Sequence, residues 1–582
     1  MEEARLKRRG FYMKKTIKLL SLVLAMGLLT GCGFVSSSSQ EGNSSEQQNS
    51  STQQQGSSGE QQNSSTQQQG SSSSAEGDVV SGDFAFYSSQ IGVAQDIHTA
   101  DQNKYLNLGK DYYKITASDL SSCNANGNTD ASKPSKVSVK WDFNAPAGKT
   151  VSKYQLVFGQ KEDLSDGYTV DGTTANSISF YNPYLGNNYF KVIANLSDGS
   201  KAESDVEIFK VTTQAPRNLY VGNMPNVRDM GGRTTYAGGK IKQGLIYRTA
   251  GNKFDNRSSI DDECKNILTK QLKVKTEINV ANSTSNNVNL SGVKLVNAFM
   301  DYGATPYSNL ARNAEKVRQV MDTLADESNY PVFYHCRIGT DRTGITGMMI
   351  GGLLGIPFNE VFQDYCFSNF APIDGQRYPN KPSDPNGDDP AKYIDEILAM
   401  PGNNYQEQTY NALLSIGIPA ETLNKIINIM TEGQKAEFPE ANIGIGNGLT
   451  STGTKKSGSD YKDPVTYYEI TNGKDVSYTF DASAGDKDIV VYLGSTDSSS
   501  SKKLASGISL EIDGAKQTIV DKTYFKAGFG KTQQNSRTGY MFNLLGKYNL
   551  SAGSHTIKVA GINSDKFNVA TICVFDHVTP AK

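Results

Sequence analysis

The chain has little histidine and no clustered cysteine. Its 582 residues include four histidines and six cysteines, and the cysteines are scattered without CxxC pairs or dense, regular spacing. Zinc sites and disulfide-rich scaffolds need such clusters. The chain also lacks a large net charge, because 58 basic side chains nearly balance 60 acidic ones. A near-neutral chain has no electrostatic field that would hold a polyanion. We therefore expect no metal site and no nucleic-acid partner.

Long apolar runs are missing too, apart from a short one near the N-terminus. Several lysines precede an apolar run from Leu19 to Leu29, which is too short to cross a bilayer, and this pattern predicts a signal peptide. The next residues, Thr30-Gly31-Cys32, complete a segment that resembles the lipobox of bacterial lipoproteins. The resemblance implies cleavage before Cys32 and lipidation of that residue. We expect residues 1–31 to be an upstream extension and signal peptide, and the protein to be extracytoplasmic and anchored to a bacterial membrane.

Residues 32–80 have few apolar side chains and are rich in Ser, Gln, Gly, Asn and Glu. The sequence EQQNSSTQQQGSS begins at Glu46 and again at Glu60. Such a segment buries too little apolar surface to offset the entropy cost of ordering. We predict a disordered tether between the anchor and the folded domains.

The remaining chain is too long for one hydrophobic core, since domains usually contain about 50–250 residues. Apolar and polar residues alternate within residues 134–215, as from Val137 to Phe143, and this period predicts a β-sandwich. The lone tryptophan on an early strand and Tyr189 on a late one resemble a fibronectin type III domain, which implies spacing or protein contact. Residues 81–133 are too weakly patterned to assign.

A similar alternation in residues 461–582 predicts a second β-sandwich. The segment from Leu550 to Val559 resembles a late strand of galactose-binding-like carbohydrate modules, which implies a cell-surface glycan as partner. Exposed aromatic side chains would carry such binding, although a tyrosine in a sandwich more often belongs to its core or rim. The candidates are Tyr524, Phe525 and Tyr540. Residues 441–460 are rich in Gly and Ser and are predicted to be a linker.

Residues 216–440 have a different pattern, in which short apolar runs such as Val332–Tyr334 alternate with helical segments. In those segments apolar residues recur every three or four positions, as between Leu423 and Met430. Alternating strands and helices predict an α/β domain. The fold class is therefore multidomain, with a central α/β domain flanked by two all-β sandwiches.

Residues 331–344 of this domain read PVFYHCRIGTDRTG, an apolar run followed by a Gly-containing turn and a predicted helix. A phosphate monoester is a dianion, and a turn that leads into a helix N-terminus provides the backbone N–H groups that bind it. The predicted substrate-binding residues are Arg337, Ile338, Gly339 and Thr340.

The same segment contains the candidate catalytic residues. Arg342 offers a planar fork to two phosphoryl oxygens. That cation and the loop dipoles lower a thiol pKa, so we expect Cys336 to be a thiolate that attacks phosphorus. Thr343 can donate a hydrogen bond to the sulfur, and His335 is expected to support the loop. The alternative for Cys336 is a buried structural thiol. A Cys–His protease is excluded, because strand neighbours such as His335 and Cys336 point to opposite faces.

This loop matches HCxxGxxR[ST]G and resembles the phosphate-binding loop of protein tyrosine phosphatases. A second motif, N-x-R-D-x-G-G at residues 226–232, resembles the opening of the bacterial tyrosine phosphatase family whose loop reads HCxxGxDR. The resemblance implies supporting roles for Arg228 and Asp229, and it implies that Asp341 is the acid that protonates the leaving oxygen. Asp301, at a predicted strand end, is the alternative general acid.

The function implied is an extracytoplasmic phosphomonoesterase that forms a cysteinyl-phosphate intermediate and needs no metal or organic cofactor. Phosphotyrosine in a protein is the leading substrate. Inositol phosphates or phosphoinositides are the alternative, since some secreted enzymes with an HCxxGxxR loop act on them. Relatives active on phosphoinositides often carry lysine at the position of Thr340, so this chain departs from their pattern, although Arg337 restores one positive charge. A hypothesis of another class is an inactive phosphatase fold that serves as a surface binding protein, although the intact Cys336, Asp341 and Arg342 favour an enzyme.

Overall fold

The structure is a computed structural model. It describes residues 83–86, 95–254, 259–300, 313–379, 394–457, 466–495, 503–520 and 539–578. All of them belong to one compact unit, Ala75–Lys582. The predicted signal peptide, the lipidation site Cys32, the tether and Asp301 lie outside the described residues. No helix among the described residues is long and apolar enough to span a membrane.

The first sandwich consists of two antiparallel sheets with strand orders β1-β2-β5 and β4-β3-β6-β7, and β8 pairs with β6. Apolar residues of both sheets, including the fully buried Trp141, enclose a common core. Tyr189 lies within β6 rather than at its start. The strands are β1 (Asp83–Phe86), β2 (Val137–Asn144), β3 (Val151–Gly159), β4 (Tyr168–Asp171), β5 (Ser177–Phe180), β6 (Gly186–Leu196), β7 (Lys201–Glu203) and β8 (Glu207–Val211).

Residues 96–133, which the sequence pattern left unassigned, contain two short helices, α1 (Ala100–Leu106) and α2 (Ala117–Ser122). Each begins with a capping box, in which a threonine side chain and the third helical residue satisfy each other's backbone N–H. Their apolar residues, such as Tyr105 and Leu120, are buried in the core of the central domain. The pattern is weak because these helices pack on a distant part of the chain.

The central domain is built on a six-stranded sheet of order β14-β13-β15-β12-β10-β9. Its four strands from β14 to β12 are parallel, and β10 and β9 are antiparallel. The strands are β9 (Arg217–Asn218), β10 (Arg228–Asp229), β12 (Ile246–Thr249), β13 (Thr276–Asn279), β14 (Lys294–Asn297) and β15 (Val332–His335), and β11 (Lys240–Ile241) pairs with β16 (Thr431–Glu432).

Seven helices described in this domain accompany the sheet. They are α3 (Asp262–Asn266), α4 (Ala314–Leu324), α5 (Asp341–Leu354), α6 (Phe358–Phe367), α7 (Asp395–Leu398), α8 (Tyr405–Ser415) and α9 (Ala420–Met430). Helix α5 is buried along its whole length, because α6, α8 and α9 pack around it. The site described below lies at its N-terminus.

The second sandwich has sheets of order β19-β20-β27-β22-β25, with β17 paired to β27, and β18-β21-β26-β23-β24. Its strands are β17 (Ala441–Ile445), β18 (Thr450–Ser451), β19 (Thr454–Ser457), β20 (Thr466–Ile470), β21 (Asp475–Ala482), β22 (Gly485–Ser495), β23 (Ile508–Ile512), β24 (Ala515–Gln517), β25 (Gly539–Leu550), β26 (Gly553–Gly561) and β27 (Phe567–Asp576). This corrects the linker predicted for residues 441–460. The Gly and Ser content suggested a loop, but β17 aligns with β27 from Ala441 to Ile445.

Candidate active site

The turn between β15 and α5 forms the centre of the site. Strand β15 ends at His335 and α5 begins at Asp341, so residues 336–340 connect a buried parallel strand to a helix N-terminus. Gly339 has a φ of 72°, and a Cβ there would lie 2.5 Å from the backbone oxygen of Thr249. Only glycine combines this conformation with so close an approach to β12. We call residues 336–340 the phosphate loop.

Hydrogen bonds hold the carbonyl oxygens of the phosphate loop on its outer side. His335 Nδ1 contacts the Cys336 oxygen at 2.9 Å, and the N–H of Gly251 donates to the Arg337 oxygen at 2.9 Å. Asn226 Nδ2 donates to the Ile338 and Gly339 oxygens at 3.1 and 3.0 Å. Carbonyls fixed outward favour amide groups that face inward, as an anion-binding turn requires.

Cys336 is almost fully buried and lies in this turn. Burial raises the pKa of its thiol, but the charge of Arg342 and the nearby hydroxyl and backbone N–H of Thr343 outweigh burial. The net effect lowers the Cys336 pKa below its ordinary value of 9.0. The other buried thiols of the domain behave differently: burial raises the pKa of Cys264 to about 12 and that of Cys366 further. The surroundings of Cys336 therefore favour its thiolate, unlike those of Cys264 and Cys366.

His335 connects the phosphate loop to the neighbouring strand β13. Its Nε2 lies 2.9 Å from Oε1 of Glu277, a buried residue whose carboxylate also accepts the N–H groups of Val288 and Asn289. Nδ1 faces a carbonyl oxygen and Nε2 faces a carboxyl group, so the two contacts fix the orientation of the ring. His335 therefore connects the phosphate loop to β13 and is not among the residues that line the cavity.

Arg228 supports the loop through a buried cluster of charges. It donates to Asn226 Oδ1 at 2.5 Å and to Asp364 Oδ1 at 2.9 Å. Asp364 also pairs with Arg248, whose Nη2 donates to the Gly339 oxygen at 2.9 Å. Burial raises the pKa of Asp364, but the three arginines Arg228, Arg248 and Arg233 hold it well below its usual range. The cluster is therefore ionised and ties β10, β12 and α6 to the phosphate loop.

Asp229, predicted to support the same loop, has other contacts. Its carboxylate accepts the N–H groups of Gly231 and Gly244 at 2.8 and 2.7 Å and pairs with Arg217 at 3.2 Å. Neighbouring residues of a strand point to opposite faces, so Arg228 faces the loop and Asp229 faces away. Asp229 stabilises the turn after β10.

A cavity of about 320 Å³ opens above Cys336. Arg342 and Asp341 line it, and so do two further arginines, Arg337 and Arg377. The remaining lining residues are Asn282, Asn286, Ile338 and Asp374. A pocket with three guanidinium groups and a thiolate-forming cysteine at its base is suited to a phosphorylated ligand.

Two acidic side chains in this cavity are paired with arginine. Asp341 is buried and accepts from Arg377 Nε at 3.2 Å and from the Tyr365 hydroxyl at 3.3 Å. Asp374 is exposed and accepts from Arg337 at 2.6 Å. Asp341 is thus the acidic group beside both Cys336 and the helix N-terminus, whereas Asp374 lies at the entrance.

The structure brings Cys336, Arg337, Ile338, Asp341 and Arg342 to one cavity. Gly339, Thr340 and His335 shape the loop, while Asp301 and Cys32 lie outside the described residues. Sequence reasoning missed Glu277, Arg248, Asp364, Asp374 and Arg377 as site residues. These residues reach the site from segments far apart in the chain, so the local sequence pattern does not single them out. No group of three metal-ligating side chains is found among the described residues.

Residues 219–401 match the sequence model of the tyrosine phosphatase family. This stretch contains the 226–232 motif and the phosphate loop, and the match supports a phosphatase, a hydrolase. No curated protein matches the chain significantly.

Three of the solved structures that match are carbohydrate-binding modules. A family 35 module from Clostridium thermocellum has 15% identity, covers 24% of this chain and 98% of that chain, and gives a TM-score of 0.19. The C-terminal CBM6 of LamC from Zobellia galactanivorans has 16% identity, with coverage of 24% and 100% and a TM-score of 0.18. The CBM36-1 domain of a xylanase from the hindgut metagenome of Trinervitermes trinervoides has 15% identity, with coverage of 24% and 99% and a TM-score of 0.18.

Proposed function

We propose that this chain is an extracytoplasmic, cysteine-dependent phosphomonoesterase whose leading substrate is phosphotyrosine in a protein. The observation that carries the proposal is Cys336, a buried thiol with a lowered pKa at the base of an arginine-lined cavity. A structural thiol in the core has a raised pKa instead, as Cys366 does. The family match over residues 219–401 supports the same reaction class.

The geometry suits a two-step displacement. In the first step the Cys336 thiolate attacks phosphorus, the bond from phosphorus to the ester oxygen breaks, and Asp341 gives its proton to that oxygen. In the second step water attacks the phosphocysteine, Asp341 takes a proton from that water, and the S–P bond breaks to release phosphate. Arg342 and the loop amides stabilise the charge on the transferring group in both steps.

Inositol phosphates or phosphoinositides remain a second candidate because of two side chains. Arg337 and Arg377 line the cavity beside Arg342, so a ligand with a second anionic group would find a cation there. A phosphotyrosyl residue carries only one phosphate. Acidic side chains next to phosphotyrosine in a peptide would pair with the same two arginines. The cavity therefore does not distinguish the two substrate classes, and an activity assay must compare them.

We also propose, from the sequence, that the protein is anchored to a membrane and that its second sandwich binds a glycan. The lipobox-like segment that ends at Cys32 supports a lipid anchor, and two or more acyl chains would hold the protein stably at a membrane. Glycan binding by residues 461–582 would rely on Tyr524, Phe525 and Tyr540, whose side chains lie outside the described part of the structure.

The deciding experiment measures phosphate release by the purified chain from three substrate sets: phosphotyrosyl peptides, phosphoseryl peptides and inositol phosphates. We expect the highest kcat/KM on phosphotyrosyl peptides. A preference for inositol phosphates would establish the second candidate. Release from none of the substrates, with Cys336 reduced, would overturn the proposed activity and favour a binding protein.

A further inference from the structure

Residues 96–133 lie outside the stretch that matches the tyrosine phosphatase family, yet they share its hydrophobic core. The Tyr105 hydroxyl donates to the Gln363 oxygen of α6 at 2.8 Å, and Asn359 accepts the N–H of Tyr112 at 2.6 Å. Their buried apolar residues in that core are Tyr105, Leu106, Tyr112, Ile115, Leu120, Cys123 and Ala125. In the chain, strands β2 to β8 of the first sandwich lie between this segment and the rest of the domain.

The same segment binds the loop that forms one wall of the cavity. We call residues 371–377 the mouth loop. The Gly127 oxygen accepts the N–H groups of Ile373 and Gly375 at 2.8 and 3.1 Å. Gln376 Nε2 donates to the Ala125 oxygen at 2.9 Å and to Ser121 Oγ at 3.1 Å. The mouth loop therefore pairs with residues 121–127 through backbone and side chain alike.

The mouth loop carries two of the charged residues of the cavity. Asp374, at a φ of 61°, pairs with Arg337, and Arg377 pairs with Asp341. A non-glycine residue in the left-handed region is held there by its surroundings. The Gly127 oxygen supports the backbone on both sides of Asp374, and Asn369 holds the backbone of Arg377, which meets the candidate general acid.

A second contact leads from the segment to the phosphate loop. Ser132 Oγ accepts the N–H of Asn226 at 3.1 Å, and the Ser132 oxygen accepts from Asn218 at 2.9 Å. Asn226 is the residue whose amide holds the Ile338 and Gly339 oxygens. Two walls of the site thus depend on residues that lie between strands β1 and β2 of the first sandwich.

We infer that residues 96–133 belong to the catalytic domain and position its active site, with Gly127 as the principal positioning residue. This inference rests on the proposed phosphatase function. Gly127 has a φ of 70°, and a Cβ there would lie 2.5 Å from the Gly375 oxygen. Any side chain at this position must push the mouth loop away and move Arg377 relative to Asp341.

The test compares Gly127→Ala with Gly109→Ala. Gly109 lies in the same segment with a φ of 64°, but a Cβ there would meet nothing within 4 Å. Both variants carry the strain of alanine in the left-handed region, and only one displaces the mouth loop. We expect Gly127→Ala to lower kcat on phosphotyrosine by up to about 100-fold, as small misplacements in active sites do, while Gly109→Ala retains wild-type kcat.

Two readouts separate positioning from loss of fold. In an Arg377→Gln background, Gly127→Ala should cause little further loss, since both act through one contact. Gln376→Ala, which removes hydrogen bonds without overlap, should shift kcat in the same direction. Thermal unfolding of each variant shows whether the fold is retained.

Hydrogen exchange gives a readout that does not depend on activity. The amides of Ile373 and Gly375 should exchange faster in Gly127→Ala than in Gly109→Ala. Unchanged exchange, or losses that add fully in the Arg377→Gln background, would overturn the inference. Absence of phosphatase activity in the wild-type chain would instead contradict the proposed function, and the exchange comparison would still decide the role of Gly127.

Discussion

Cys336 and its neighbours show how two residues can outweigh the effect of burial on a thiol pKa. A buried thiol resists ionisation, and the pKa of Cys264, Cys366 and Cys573 is raised for that reason. At Cys336 the charge of Arg342 and the nearby polar groups of Thr343 reverse the direction of the pKa shift. The lowered pKa of Cys336 therefore depends on residues six and seven positions further along the chain, which the turn brings close to the sulfur.

A pH profile of thiol alkylation tests this at the residue scale. Only the thiolate reacts, so the alkylation rate of Cys336 by iodoacetamide should rise with pH through a midpoint below 9.0. Thr343→Val keeps the shape of the side chain and removes the hydroxyl, so its midpoint should move to higher pH. Cys336→Ser lacks the thiol, so the alkylation that this variant loses is the part that belongs to Cys336. An identical midpoint in wild type and Thr343→Val would show that the hydroxyl does not stabilise the thiolate.

A leaving-group comparison tests the acid. A general acid contributes about 10²–10⁴-fold and matters most for poor leaving groups. We expect Asp341→Asn to lower kcat steeply on phosphotyrosine and mildly on a nitrophenyl ester. Asp301→Asn should change both substrates modestly. A leaving-group-dependent loss confined to Asp301→Asn would assign the acid to Asp301 instead.

At the scale of elements, the Asp364 cluster joins three of them. Asp364 on α6 contacts Arg228 on β10 and Arg248 on β12, and Arg248 reaches the phosphate loop. Removal of one partner from a buried ion pair leaves an uncompensated charge, and such changes cost about 3–5 kcal/mol. The loop geometry and the stability of the domain therefore depend on the same carboxylate.

Asp364→Asn should lower the free energy of unfolding by about 3–5 kcal/mol, measured by urea denaturation at neutral pH. The folded-state pKa of Asp364 lies below its ordinary value of 3.8. The stabilisation is thus present above pH 3.8 and is lost as the pH falls, so wild type and variant should converge in acid.

Asp262→Asn is the control for this comparison, since its pair with Lys265 is exposed and should contribute no measurable stability. Equal stability of wild type and Asp364→Asn at neutral pH would contradict the role given to the cluster.

The phosphate loop could be predicted from the sequence because its chemistry lies in consecutive residues, from His335 to Thr343. Glu277 and Arg377 could not, since they reach the site only when β13 and the mouth loop fold around it. The short helices of residues 96–133 bury their few apolar residues against α6, a distant part of the chain. The sequence pattern of the segment alone therefore does not predict them. The strand at Ala441–Ile445 was hidden by glycines and serines that suggested a loop.

At the scale of the whole molecule, strands β2 to β8 of the first sandwich separate residues 96–133 from the rest of the core that they share, and the second sandwich follows the central domain. Thr571 of β27 donates to the Ser415 oxygen of α8 at 3.1 Å, and Tyr492 and Cys573 belong to the core of the central domain. The second sandwich therefore packs on the catalytic domain without a flexible linker in between.

Fatty-acid labelling and cell fractionation test the proposed lipid anchor at Cys32. Expressed in a bacterium with labelled fatty acid, the wild-type chain should incorporate label and sediment with the envelope. Cys32→Ala should lose the label and keep its kcat, because the predicted tether separates anchor and enzyme. Wild-type protein without label would contradict a lipid anchor at Cys32.

The central claim is that Cys336 is the nucleophile in a pocket built for a phosphoryl group, and Cys336→Ser tests it most directly. The measurement pairs phosphate release from a phosphotyrosyl peptide with equilibrium binding of tungstate, a phosphate analogue. Release should be abolished while tungstate still binds, because the loop amides and Arg342 remain. Arg342→Ala should lose both. Substantial phosphate release by Cys336→Ser would contradict the covalent mechanism.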